Sequence, residues 1–189
     1  MKLLPTLGLM SLLATPLVFA SCGSVPTTQA EMDDKMSEAA PKARKEIDRM
    51  VAKDATLKPL VDDAYGVIMF PSVASGAFIL GGQGGDGVVF KGGQPWGLAK
   101  LAAGSIGFQI GGETFSELVI MQDENAFNTV TAGDFSFTAG LSASAVKAGA
   151  ALDANFKDGI AAFVSTNGGL MASAAIGGQE ISCFPADVE

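Results

Sequence analysis

The sequence predicts an α+β fold, in which an N-terminal amphipathic helix is followed by a glycine-rich, mostly antiparallel β-barrel or sandwich with one or two short helices. Residues 31–63 are rich in charge and contain no glycine, whereas 22 of the 24 glycines lie in residues 66–178. Apolar residues recur at helical spacing in the first segment and alternate with small or polar residues in the second. So much glycine implies close backbone approaches, which suit a small barrel or sandwich better than an open sheet.

Residues 31–63 predict an amphipathic helical segment, with nine acidic and seven basic residues. Pro41 suits the first turn of a helix, where its missing N–H costs nothing. The apolar residues that follow at helical spacing are Ala43, Ile47, Met50 and Val51. The basic residues Lys42, Lys45, Arg49 and Lys53 lie largely on the remaining face. Residues 56–59 interrupt the helix, and a short helical turn over residues 60–63 is expected after them.

Residues 64–185 predict the β domain. Continuous apolar runs predict strands buried on both faces, and alternating runs predict strands with one buried face. The continuous runs are 66–70, 118–121 and 159–165, and the alternating runs are 104–111, 135–139 and 170–176. Asp123 is an acidic N-cap, which predicts a short helix over residues 123–130. Trp96 is expected to cover the end of the core, with an interfacial anchor or a ligand-stacking ring as the alternatives.

Three predicted strands end in paired glycines, in residues 78–83, 108–113 and 174–179, and these pairs predict tight hairpin turns. The first pair belongs to a Gly-x-Gly-x-x-Gly spacing at Gly82, Gly84 and Gly87. The dinucleotide form of that motif needs a helix directly after the third glycine, whereas a strand is expected here. The kinase form needs a histidine-containing catalytic loop, and the chain has no histidine. We therefore expect a glycine-rich hairpin turn with positive φ angles, and no nucleotide.

Composition excludes several classes of function. Without histidine, the Ser-His-Asp and Cys-His arrangements and histidine metal sites are absent, and two cysteines are too few for a thiolate zinc site. The net charge of −8 argues against a nucleic-acid partner, which demands a basic face. We expect no catalysis and no metal or other cofactor. A hydrolase that uses carboxylates such as Asp86 or Glu113 is the enzymatic alternative.

Residues 1–21 have the layout of a signal peptide. One lysine is followed by an apolar stretch with two prolines, and small residues precede Cys22. A retained transmembrane helix is disfavoured by those prolines and by a length near the lower limit for a bilayer. Removal of this segment takes away Lys2 alone among the charged residues and leaves a net charge of −9.

Cys22 is the candidate lipidation site. The sequence Phe-Ala-Ser-Cys at residues 19–22 resembles the lipobox of bacterial lipoproteins, with Phe19 in place of the usual leucine or valine. Residues 22–30 are small and polar and suit a flexible tether. Gly23, rather than an aspartate, follows the cysteine, which implies sorting to the outer membrane with the domain facing the periplasm. The alternatives are ordinary cleavage after Ala20 and a disulfide between Cys22 and Cys183.

An ordered set of motifs in the mature chain resembles the SYLF-domain family over roughly residues 40–183. The motifs are AYGVIMFPSV at 64–73, the glycine-rich stretch 76–87, Trp96, GSIGFQIGG at 104–112, LVIM at 118–121 and GGLM at 168–171. The resemblance implies a lipid-binding module. Eukaryotic members bind phosphoinositide-containing membranes, partly through a basic amphipathic helix at the start of the domain, and a yeast member also binds actin. Bacterial members are commonly small exported or lipid-anchored proteins, and an exported protein meets no actin.

By position, the resemblance assigns membrane contact to the helix that carries Lys42, Arg44, Lys45, Arg49 and Lys53. This helix departs from the basic family pattern, because Glu46 and Asp48 lie among these residues and large aromatic side chains are missing from it. We expect an outer-membrane lipoprotein whose domain binds phospholipid or the membrane surface without catalysis. The alternative is a structural lipoprotein that docks another cell-envelope protein. The alternative interpretation of the basic residues is that they lie on a solvated helix face and form ordinary charge pairs, without a binding function.

Overall fold

A computed structural model gives the fold and describes residues 25–77, 80–106, 113–137, 156–166, 169–173 and 179–187. The helices in these ranges are α1 Gln29–Lys53, α2 Leu57–Asp62 and α3 Glu124–Thr131. The strands are β1 Gly66–Ala77, β2 Leu80–Lys91, β3 Gln94–Ile106, β4 Glu113–Met121, β5 Asp134–Phe137, β6 Ile160–Thr166, β7 Gly169–Ser173 and β8 Gln179–Pro185. The predicted signal peptide, Cys22 and the predicted turns at 107–112 and 174–178 lie outside the described residues.

The strands form one antiparallel sheet in the order β5-β8-β3-β2-β1-β4-β6-β7. The central strand β1 pairs with β2 on one side and β4 on the other, and both registers shift near Pro71. Such a bulge bends a strand and increases its twist. The prediction of an α+β fold with an N-terminal helix, an antiparallel sheet and short helices is therefore confirmed.

The sheet is strongly curled, as a contact between β8 and β4 shows. These strands are four positions apart in the sheet, a separation of about 19 Å if the sheet were flat. Yet the Gln179 amide of β8 donates to both carboxyl oxygens of Glu117 on β4, each at 2.9 Å. The two side chains meet only because the strands wrap around a shared interior.

Each face of the sheet carries its own hydrophobic core. Helix α3 packs on the inner face through Phe127, in one core with Phe70, Leu101 and Met121 of the sheet. Helices α1 and α2 cover the outer face through Ala43, Met50 and Leu57, against Met69, Leu118 and Phe163. Because β1, β4 and β6 are covered on both sides, their sequences read as the continuous apolar runs expected of doubly buried strands.

Helix α1 begins earlier than Pro41 predicts. The Thr28 side chain accepts from the backbone N–H of Glu31 and caps the helix, which then continues unbroken to Lys53. Pro41 is exposed in the helix interior rather than in the first turn. The expectation about Pro41 was wrong because packing of Met32, Ala40 and Ala43 on either side of it stabilises the helix.

The glycine motif lies within a strand and does not form a turn. Gly84, Gly85 and Gly87 belong to β2 and pair with β3, and Gly84 and Gly85 also pair with β1. Their φ angles are not positive, so the expected glycine-rich hairpin turn was wrong at these positions. The turn from β2 to β3 is instead Gly92–Gly93, with φ angles of 53° and 74°. That pair has the positive angles that a two-residue hairpin requires.

Of the helices in the described part of the chain, none combines the length and the apolar content needed to cross a bilayer.

Candidate functional site

A groove of about 400 Å³ lies between the N-terminal half of α1 and the outer face of the sheet. It is bordered by strands β1, β2, β3 and β8 and by the chain just before α1. Its principal lining residues are Pro26, Lys35, Glu38, Ala39, Lys42, Pro71, Asp86, Val88, Leu98, Lys100 and Phe184. This volume is within the range of about 300–1,000 Å³ that is typical of small-molecule sites.

The floor of the groove is apolar because three neighbouring strands present apolar side chains in one row. Val88 of β2 is the register partner of Leu98 on β3, and Leu98 is the partner of Phe184 on β8. Ala39 faces this row from the helix, and its small side chain leaves the space open. The next row along the strands is polar, with Asp86 opposite Lys100. The groove is therefore amphipathic.

Three lysines and two carboxylates surround the floor. Lys42 is 2.6 Å from Glu38, and both side chains are mostly exposed, at 65% and 73%. Lys100 is 3.4 Å from Asp86, whose side chain is 62% exposed. A hydrogen bond and the charge of Lys42 lower the pKa of Glu38, so this carboxylate is ionised at neutral pH. With Lys35, the side chains that line the groove carry a net charge of +1, and the charge of Lys35 also acts on the nearby Glu31 carboxylate.

The groove lies close to the predicted lipidation site along the chain. Pro26 lines the groove and is separated from Cys22 by four residue steps. Four residues span at most about 14 Å when fully extended. Pro26 therefore lies within that distance of any group attached at Cys22.

The predicted basic residues of α1 do not form one free surface. Lys42 borders the groove, and Lys45 is exposed to solvent. Arg44 lies on another side of the helix, where it donates to the carbonyl of Gly93 at 2.7 Å and stacks on the ring of Phe90. Lys53 donates to the Ser165 hydroxyl at 3.0 Å and to the Thr166 carbonyl at 3.2 Å.

Arg49 takes part in a polar cluster between α1 and β4. It donates to the carboxylate of Glu46, and the hydroxyl of Ser116 lies against both side chains. Partial burial favours neutral Glu46, but the hydrogen bonds from Arg49 and Ser116 and the nearby positive charge outweigh it and lower its pKa. Arg49 and Lys53 thus connect the C-terminal half of α1 to the sheet through Ser116, Ser165 and Thr166.

A buried polar pair in the sheet interior has no counterpart in the sequence predictions. Glu117 and Gln179 are each 1% exposed, and burial raises the pKa of Glu117 to about 7 despite the hydrogen bonds from Gln179. Gln179 Oε1 is buried without a hydrogen-bond partner. One local signal was present, because Glu117 interrupts the apolar residues of β4. Its partner is 62 residues away and could not be found from local pattern.

The remaining predicted residues lie apart from one another. Asp86 is exposed and faces Lys100, while Glu113 begins β4 and its side chain lies outside the described part of the structure. Trp96 packs edge-on against Phe127 at 5.2 Å and covers the end of the inner core. Within the described residues no group of three or more cysteine and carboxylate side chains could hold a metal ion.

Cys183 packs against the inner-face core, and burial raises its pKa to about 12. Its thiol is therefore a poor nucleophile at neutral pH.

Comparison with protein-family models gives no match for this chain, and a search of curated proteins finds no similar sequence.

Proposed function

We propose that this chain is an exported lipoprotein, anchored in the outer membrane through acylated Cys22, whose domain binds phospholipid or the membrane surface without catalysis. The observation that carries this proposal is the position of the amphipathic groove, which opens beside Pro26, four residues from Cys22. Membership of the SYLF-domain family is part of the same proposal. It rests on the ordered motifs in the sequence, which include the strand β1 segment and the glycines of β2.

Lipidation of Cys22 is favoured over a disulfide by the position of Cys183. Phe184 faces the groove that Pro26 also lines, whereas the neighbouring Cys183 packs against the inner core. Successive residues of a strand point to opposite faces of the sheet. A disulfide from Cys22 would thus have to reach a thiol on the face opposite Pro26. An acyl anchor on Cys22 requires no such path, and several acyl chains on one residue give stable anchoring.

The membrane contact that we propose is confined to the anchor side of the domain. Lys35 and Lys42 line the groove there, while Arg44, Arg49 and Lys53 interact with the sheet. A lysine close to an anionic surface contributes about 1 kcal/mol. A few such contacts are weak alone but sufficient beside a covalent anchor, because the anchor keeps the surface at high local concentration.

We also propose that the curled sheet forms a barrel rather than a sandwich. The contact between Glu117 and Gln179 supports this form, since it joins strands that are four positions apart through a shared interior. A barrel gives the groove a rigid floor on its outer wall.

The test is to produce the full chain in a Gram-negative host and determine the mass and location of the mature protein. We expect an N-terminal acylated Cys22 and recovery with the outer membrane. The matched variant carries Cys22→Ser behind a signal peptide that an ordinary signal peptidase cleaves. We expect this unacylated chain to remain partly with membranes at low salt and to be released by high salt.

Two outcomes of this test contradict the proposal. Cleavage after Ala20 with Cys22 joined to Cys183 would exclude the lipid anchor. The Cys22→Ser chain could also bind untreated membranes but fail to bind membranes that were first treated with protease. That result would favour the alternative function, docking to another envelope protein.

A further inference from the structure

The two rows of side chains in the groove differ in polarity, so they would contact different parts of a ligand. One row is apolar and consists of Val88, Leu98 and Phe184, and the neighbouring row carries Lys100 beside Asp86. From the helix side, Lys35 and Lys42 face the same space. The anionic group of an amphiphilic ligand would contact the lysines, while the apolar part of the ligand covered the floor. A free inorganic anion would leave that floor exposed to water.

The ion pairs on the rim do not prevent a ligand from binding. In the Lys42–Glu38 and Lys100–Asp86 pairs, at least one of the two side chains is mostly exposed to solvent. Exposed pairs of this kind contribute little to stability, so exchange of a carboxylate for a ligand anion has a small cost. Lysine binds phosphate as a point charge and needs no fixed geometry. The three lysines can therefore turn toward a phosphate that enters the groove.

We propose that the groove binds one anionic phospholipid of the membrane in which the chain is anchored. Its phosphate lies on Lys35, Lys42 and Lys100, and its glycerol end and first methylene groups cover Leu98 and Phe184. The groove volume of about 400 Å³ suits a headgroup and the beginning of an acyl chain, while the remainder stays in the bilayer. This inference rests on the proposed function, because the anchor at Cys22 is what brings the lipid within reach of Pro26.

The experiment is a calorimetric titration of the mature chain, residues 22–189 with Cys22→Ser, with dihexanoylphosphatidylglycerol below its micelle-forming concentration. The test variant combines Lys35→Gln and Lys42→Gln. The control combines Lys45→Gln and Lys58→Gln, which removes the same charge and also breaks one exposed ion pair, since Lys58 is 2.6 Å from Asp62 just as Lys42 is from Glu38. We expect the test variant to bind at least fivefold more weakly and the control to bind within twofold of the parent.

A second variant tests the floor without altering charge. Ala39→Phe places a ring in the groove from the helix side, and we expect it to abolish binding while the melting temperature confirms that the chain is folded. Equal weakening by both lysine variants would contradict the proposal. Equally tight binding of dihexanoylphosphatidylcholine would do the same, because it would show that the charge of the lipid is not recognised.

The source of the anion and the wider function are tested separately. Full competition by an equal concentration of inorganic phosphate would identify an anion site and overturn the lipid assignment. If the same protein binds anionic vesicles but not the short-chain lipid, the groove assignment fails and the proposed function stands. If it binds neither, both fail.

Discussion

At the scale of single residues, the glycine motif of β2 is explained by packing. A Cβ atom on Gly87 would lie 2.5 Å from Cδ1 of Phe70 and 2.8 Å from the carbonyl oxygen of Met69. A Cβ atom on Gly84 would meet only the carbonyl oxygen of Leu101, at 3.7 Å. Gly87 therefore makes room for a buried aromatic ring, and a nucleotide is not needed to account for it.

These surroundings predict opposite effects of the same substitution. Gly87→Ala should lower the free energy of unfolding by about 1–3 kcal/mol, because the neighbouring ring and backbone must shift. Gly84→Ala should raise it by about 0.4–1 kcal/mol, because alanine has fewer conformations in the unfolded chain. Urea denaturation of both variants measures the difference. Equal effects at the two positions would show that the motif is not explained by packing.

Glu117 predicts a dependence of stability on pH. Its pKa rises from 4.5 to about 7 on folding, so the folded protein retains a proton that the unfolded chain releases. This contribution to stability is fully present below about pH 4.5 and is lost as the pH rises through about 7. Glu117→Gln keeps a neutral hydrogen-bonding group at every pH and should remove this dependence.

The measurement compares urea denaturation of the parent and of Glu117→Gln at pH 5 and pH 8. Relative to the parent, the variant should gain about 2–3 kcal/mol more at pH 8 than at pH 5. Other titrating groups cancel in this comparison because both proteins share them. A stability difference that is the same at the two pH values would mean that Glu117 does not titrate in this range.

At the scale of elements, α1 is held on the sheet by both apolar and charged side chains. Met50 and Ala43 are fully buried, and Arg49 joins the helix to Ser116 of β4. Three of the five basic residues that the family resemblance assigns to membrane contact, Arg44, Arg49 and Lys53, therefore serve the fold as well. Simultaneous neutralisation of all of them would weaken helix docking, and a loss of lipid binding would then have two causes.

Single substitutions on α1 separate these roles. Arg49→Gln should lower the free energy of unfolding by about 1–2 kcal/mol, because it leaves the partly buried Glu46 without its hydrogen-bonded cation. Lys45→Gln, an equal loss of charge at an exposed position, should change it by less than about 0.5 kcal/mol. Chemical denaturation of the two variants gives the comparison. A large effect of Lys45→Gln would show that our assignment of the docking residues is wrong.

The sequence predicted the helices and strands better than it predicted which strands pair with each other. The amphipathic period of α1, the buried runs of β1, β4 and β6 and the Asp123 cap of α3 are local patterns, and each matches the structure. The two glycine pairs 81–82 and 92–93 look alike in sequence, but only the second is a turn. Local composition cannot show which strand a residue will pair with, and pairing is what places 81–82 inside β2.

The groove could not be predicted from the sequence for the same reason. The groove combines Lys42 of α1 with Lys100 of β3 and Phe184 of β8. These residues come together only through the strand order of the sheet, and their spacing in the chain carries no period. Lys42 was predicted from the helix, whereas Lys100 and Phe184 had no signal of their own.

At the scale of the whole molecule, the net negative charge of the chain opposes the proposed membrane contact. The chain carries a net charge of −8, which repels an anionic membrane. The Debye length is about 8 Å at physiological ionic strength, so charges farther than this from the bilayer contribute little. The groove beside Pro26 carries Lys35, Lys42 and Lys100 against Glu38 and Asp86, whereas Glu31, Asp33 and Asp34 are exposed on the first turns of α1. The attraction that we propose is therefore confined to the groove.

The central claim is that the domain binds an anionic membrane even without its acyl anchor. The most direct measurement is flotation of residues 22–189 with Cys22→Ser on vesicles of phosphatidylglycerol and of phosphatidylcholine, from 0.15 M to 0.5 M salt, conditions chosen to shorten the Debye length from about 8 Å to about 4 Å. We predict flotation with phosphatidylglycerol alone, decreasing as salt rises. Folded protein that stays at the bottom of the gradient with both lipids at every salt concentration would contradict the account.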